Sequence, residues 1–176
     1  MIKGLKHVKV VLVIVGNKLL AIDQATNILG YAIFEGKELI DSGLLDYSKL
    51  ADYNAKISAI KTWITQTIEK EKINLVAVED VYMNLNPATM KTLAKLLGVI
   101  ENLCFEKNIE CCVINNNVWR NTCEIKGKTR DQKKAGSKKF VLNHFKKKVN
   151  DDIADAICIG WHILCTHGVK TWGETF

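Results

Sequence analysis

The chain of 176 residues has a single proline, Pro87, and no glycine- or serine-rich stretch. Without such a stretch there is no linker, and the length suits one domain spanning residues 1–176. No apolar run is long enough to cross a bilayer, so no membrane role is expected. The apolar, β-branched run Val8–Val15 is broken by Lys9. Lysines precede it, but no small-residue cleavage site follows, so it reads as an extra N-terminal strand rather than a leader. Six cysteines are present, yet none forms C-x-x-C, and His7, His144, His162 and His167 fall at no zinc spacing. The thiols are therefore read as reduced, which places the protein in the cytoplasm. Cys158 and Cys165, seven apart on one helical face, are expected in the core. No glycine-rich phosphate loop exists, which argues against nucleotide-triphosphate chemistry.

Charge is abundant but uneven. The net charge is +6, and the segment Arg120–Val149 alone carries +9, leaving −3 on the remainder. A basic block on a near-neutral body suggests a polyanion partner. Its densest part, Lys126-Gly127-Lys128-Thr129-Arg130-Asp131-Gln132-Lys133-Lys134, lacks apolar periodicity and is expected to be a mobile loop.

Hydrophobic periodicity orders the rest. Leu19–Asp23, Ile28–Phe34 and Glu38–Leu45 read as three strands joined by tight turns, an antiparallel meander. Ile57, Ile60, Ile64 and Ile68 then repeat at helical spacing. Leu75–Glu79 is a fully apolar strand, suited to the centre of a parallel sheet. A helix from Pro87 to Lys107 follows, with proline in its first turn. Glu110–Ile114 is a fifth strand, and Asn115–Cys123 contains a helical turn. A short amphipathic helix carries Phe140, Val141 and Phe145. The last helix, capped by Asn150 or Asp151, runs to about Gly168. The order predicts an α/β fold, a mixed five-stranded sheet flanked by helices.

Four carboxylates stand out in that order. Asp23 ends the first core strand and Glu79 ends a central one. Asp152 and Asp155 are three apart at the start of the last helix, so they share a face. Sites in α/β sheets gather at strand C-terminal ends. Four acids gathered there cannot all ionise near neutral pH without a cation. Oxygen-only ligands favour Mg²⁺, with Mn²⁺ as a substitute. Two such ions about 4 Å apart suit a phosphodiester displacement.

Leu20-Ala21-Ile22-Asp23-Gln24-Ala25-Thr26-Asn27-Ile28-Leu29-Gly30-Tyr31-Ala32 resembles the first motif of RuvC-type Holliday-junction resolvases. Val78-Glu79-Asp80-Val81-Tyr82-Met83-Asn84 is similar to their second motif, and Asp152-Ile153-Ala154-Asp155-Ala156-Ile157 to their paired final aspartates. The resemblance runs from about Leu19 to Cys165. It implies an RNase H-like fold, a homodimer with two sites, and a Mg²⁺-dependent endonuclease that resolves four-way junctions by paired nicks. It makes Asp23, Glu79, Asp152 and Asp155 the metal ligands and catalytic residues, with Asp151 the alternative to Asp152. Tyr82 falls where the family stacks an aromatic on a base. Lys128 falls near lysines that contact the scissile phosphate, and Lys126, Arg130, Lys133 and Lys134 complete the expected DNA-binding set. Where the family has Pro-Gly after the first aspartate, this chain has Gln24-Ala25. Small size and divergence suit a phage-encoded member acting in host cytoplasm. Two other readings compete: an RNase H-like nuclease acting on hybrids or other branched intermediates, and a DNA-binding module without catalysis.

Overall fold

The computed structural model describes residues 18–81 and 86–166. The strand expected at Val8–Val15, the tail beyond Thr166 and Tyr82 lie outside the described residues. Five strands form one sheet in the order β3-β2-β1-β4-β5. β1 (Lys18–Asp23), β2 (Ile28–Glu35) and β3 (Glu38–Asp46) make the antiparallel meander, while β4 (Leu75–Glu79) and β5 (Glu110–Ile114) run parallel to β1.

Alternation along β1 divides the core in two. Leu20 and Ile22 face α1 (Tyr53–Glu71) and α2 (Pro87–Glu106), packing with Ile60, Ile64, Leu96 and Ile100. Leu19 and Ala21 face the other side, where Trp119, Val141, Ile157 and Ile159 pack. This period-two split lets one strand stabilise helices on both faces. The second face holds α3 (Asn116–Thr122), α4 (Arg130–Phe145) and α5 (Asp151–Thr166).

The start of α5 reflects the sequence. Asn150 is the cap, its Oδ1 accepting from the Ile153 amide at 2.9 Å. Ala154, Ala156, Ile157, Cys158, Ile159 and Gly160 are buried in succession, because α5 lies flat across the sheet. Gly30 and Gly160 permit that approach: a Cβ on Gly30 would overlap the Asp152 carbonyl, and one on Gly160 would overlap the Phe34 ring.

Two expectations need correction. The basic stretch is not a loop throughout: only its first residues are, and α4 begins at Arg130. A capping box starts that helix, with Thr129 accepting from the Gln132 amide and Gln132 bonding back to the Thr129 amide. The first two turns lack an apolar stripe because they face solvent and carboxylates rather than the sheet. Cys165 is exposed, not core, because α5 runs past the sheet before its last turn, while Cys158 is buried. None of the six cysteines forms a disulfide.

Candidate active site

The carboxylate site begins with strand register. Parallel pairing of Ile22 with Val78 sets the next residues, Asp23 and Glu79, side by side at the C-terminal ends of β1 and β4. Gln24 ties the strand ends together, its side-chain amide donating to the Glu79 carbonyl at 3.0 Å. The Gln24–Asn27 turn is held from β3's end: the Tyr47 hydroxyl donates to the Ala25 carbonyl, and the Tyr47 amide to the Asn27 carbonyl at 3.0 Å. Antiparallel pairing places Gly30 opposite Asp23. Because Gly30 has no Cβ, the first turn of α5 settles there, and Asp152 and Asp155 arrive beside Asp23.

Lys134, on the second turn of α4, reaches into this group. Its ammonium lies 2.6 Å from Asp155 Oδ2, 3.2 Å from Asp152 Oδ1 and 3.6 Å from Asp23 Oδ2. One cation thus joins three of the four predicted acids. Glu79 lies on the edge of the same group and is held differently. Trp119 Nε1 donates to its Oε1 at 3.1 Å, and the Arg120 guanidinium stands 3.7 Å from the same oxygen. Arg120 also stacks over the Trp119 ring, 4.5 Å from its centroid.

The electrostatics follow from burial and crowding. Burial pushes the Asp23 carboxyl well above the usual range; Glu79, Asp155 and Asp152 add to that, and Lys134 opposes it. Glu79 is raised by burial and by Asp155, against Arg120, Trp119 and Lys134. Burial alone would lower Lys134, but the attraction of Asp23 and Asp155 outweighs it and holds the ammonium protonated.

The donor set fits divalent metal. It is all carboxylate oxygen, it carries more negative charge than one lysine neutralises, and the buried Asp155 Oδ1 has no hydrogen-bond partner. Gln24 Oε1 and Arg120 Nε, also buried without partners, border the same site. Among the described residues no three His, Cys, Asp or Glu side chains are already gathered in metal-binding geometry. The acids are instead arranged around the Lys134 ammonium.

Other predicted residues fall as follows. Asp151 points away from the group and pairs with Lys138 at 2.8 Å, so Asp152 is the member of the site. Lys126, Lys128 and Arg130 are exposed around the start of α4, while Lys133 and Lys134 are half-buried, Lys134 with its ammonium among the acids. The sequence reading missed Trp119, Arg120, Gln24 and the inward aim of Lys134. The signal for the last was the Thr129-x-x-Gln132 box, which marks a helix start.

Comparison with known proteins gives the family and the fold. The family model described as crossover junction endodeoxyribonuclease RuvC matches residues 19–163. The chain belongs to the RuvC family. A RuvC from Brachyspira hyodysenteriae is 31% identical over 144 residues, covering 80% of this chain and 89% of that protein. RuvC of Thermus thermophilus in complex with a Holliday junction superposes with a TM-score of 0.69 at 14% identity, covering 83% of this chain and 91% of that one. The Fowlpox virus resolvase, solved with junction DNA, gives a TM-score of 0.59 at 17% identity, over 85% and 98% of the two chains. The mixed sheet with flanking helices is the RNase H-like fold of RuvC. As a RuvC family member the chain is a junction-resolving endonuclease of a metal-dependent family. No helix among the described residues is long and apolar enough to cross a membrane.

Proposed function

We propose that this RuvC-family chain cuts four-way DNA junctions by paired nicks, with Mg²⁺ held by Asp23, Glu79, Asp152 and Asp155. The observation that carries the reading is the convergence of Asp23, Asp152 and Asp155 from two distant segments onto one ammonium, with Glu79 alongside. Divalent metal, when bound, would stabilise the charge that develops on the attacking and leaving oxygens of the phosphodiester. The chain's own part is positional. Asp23 and Glu79 are rigid because they end paired strands, and Asp152 and Asp155 are rigid because α5 is buried. Lys134, released from the carboxylates, keeps its positive charge beside the phosphate. Lys126, Lys128, Arg130 and Lys133 hold DNA around the entrance of the site, and Tyr82 stacks on a base near the junction centre.

Paired nicks need two sites, so the working form is a homodimer. The outward face of α2 suits that contact: Ala94 and Gly98 are exposed there, and Phe105 is 84% exposed. Six free thiols suit the reducing cytoplasm, that of a host cell if the chain is phage-encoded.

The test is cleavage of a synthetic four-way junction against linear duplex, forks and RNA–DNA hybrid, with and without Mg²⁺. Symmetric nicks in the junction are expected, lost in Asp23→Asn and Asp155→Asn. Binding should survive in both variants and weaken steeply with salt, because lysines hold the phosphates. Nicking that persists in either variant would sink the assignment. Preferential cutting of hybrid would favour the RNase H-like alternative.

A further inference from the structure

We propose that Trp119 and Arg120 form a clamp that positions Glu79 for metal, making Trp119 a positioning residue of this active site. The inference rests on the nuclease reading above and deepens it.

Three observations carry it. First, Trp119 is fully buried, and its indole is a donor with a single N–H. That N–H goes to Glu79 Oε1 at 3.1 Å, across 40 residues of sequence. The same core buries Phe34 and Phe140, so a large apolar ring there needs no indole; the N–H is what distinguishes tryptophan. Second, Arg120, the next residue, turns its guanidinium back over the Trp119 ring and to the same Oε1. Both contacts fall on Oε1, and Oε2 is taken by neither. Third, the arginine Nε is buried without a partner. A group left unsatisfied in that way is held for its other contacts rather than for its own comfort.

The local sequence explains how the clamp is built. β5 ends at Ile114, and Asn115 caps the seven-residue α3, accepting from the Asn117 amide at 3.0 Å. This puts α3 beside the end of β4, since β4 and β5 pair in register up to Glu79 and Ile114. α3 is further anchored to α5, where the Thr122 hydroxyl meets His162 Nδ1 at 2.7 Å. The clamp is therefore attached to the two elements that carry Glu79 and Asp155. A carboxylate that must bind metal loses rotation about its own axis. The Trp119 hydrogen bond to Oε1, with the Arg120 guanidinium beside the same oxygen, fixes that rotation beforehand.

The experiment replaces the donor and keeps the shape. Trp119 is substituted by benzothienylalanine, which exchanges the indole N–H for sulfur, and in parallel by phenylalanine, W119F. Arg120→Gln is the second arm. Mn²⁺ binding is measured by calorimetry on the DNA-free protein, thermal melting reports the fold, and junction nicking is split into kcat and KM. The expected result is a 10- to 100-fold loss of Mn²⁺ affinity in the benzothienylalanine protein. Its melting should be unchanged, KM for junction unchanged, and kcat restored by raised Mn²⁺. Were W119F to unfold, the isosteric protein and Arg120→Gln still decide the matter. Mn²⁺ affinity within twofold of wild type in the folded isosteric protein would overturn the clamp. That outcome with intact wild-type nicking would leave the nuclease reading standing. Wild-type protein that does not nick junctions, yet binds Mn²⁺ more tightly than the isosteric protein, would sink the nuclease reading and support the clamp. Wild-type protein that binds no Mn²⁺ would overturn both.

Discussion

Gly30→Ala is the sharpest test of how this site is assembled. An added Cβ would stand 2.5 Å from the Asp152 carbonyl carbon and 3.1 Å from the Ile153 amide nitrogen, and would overlap the carbonyl oxygen. All three obstacles are backbone, so no side chain can swing aside. Carbon atoms in contact settle about 3.5–4.0 Å apart, so the first turn of α5 must retreat by roughly 1 Å. Overpacking of this kind costs about 1–3 kcal/mol, which should appear as a lowered melting temperature rather than as loss of the fold. The retreat carries Asp152 and Asp155 away from Asp23. A displacement of about 1 Å at a catalytic group costs on the order of 100-fold in rate. The expected outcome is a folded protein that binds junction DNA as wild type does without metal and nicks it about 100-fold more slowly. The assay is single-turnover nicking of a labelled four-way junction, with a thermal melt on the same sample. A folded Gly30→Ala protein that nicks at the wild-type rate would refute the reasoning, because it would show that the approach of α5 to β2 does not set the site.

Further outcomes follow from the same geometry. Asp23 has a folded-state value raised by burial, so the folded protein binds more protons than the unfolded chain at pH above the ordinary aspartate range. Its ionisation therefore costs stability that grows as pH rises, and the cost vanishes below that range. Asp23→Asn should be more stable than wild type near neutral pH by on the order of 1 kcal/mol, the gap closing in acid; melts in chelator check this, and a gap that widens in acid would contradict it. Lys134→Met removes the cation shared by three acids. It should destabilise metal-free protein by about 3 kcal/mol, and Mg²⁺ should recover more in the variant than in wild type. Equal Mg²⁺ shifts in both melts would mean that lysine and metal do not compete for one place. Thr129→Ala breaks the capping box of α4 and should cost about 1 kcal/mol in a denaturant melt. No loss there would mean that tertiary contacts alone hold the helix start.

Much of this was legible in the chain because local pattern and global fold agree. Strand alternation at Leu19–Asp23, the isoleucine repeat at Ile57–Ile68 and the apolar run at Leu75–Val78 each specify an element with little help from elsewhere. The gathering of the acids was legible because the C-terminal ends of strands in an α/β sheet converge on one place. What failed were segments whose pattern answers to charge instead of to a core. Arg130–Lys134 is helical without an apolar stripe, because that turn faces carboxylates. Cys165 has core spacing, but α5 outruns the sheet by a turn.

The chain by itself determined the elements, their order and the four acids, since those depend on short-range periodicity and residue chemistry. Only the tertiary structure decided which cation sits among the acids, that Asp152 rather than Asp151 joins them, and that Trp119 and Arg120 hold Glu79. Those outcomes depend on strand register, on a missing Cβ at Gly30 and on the direction in which α4 carries Lys134. Each is a relation between segments far apart in sequence, and no local pattern encodes it.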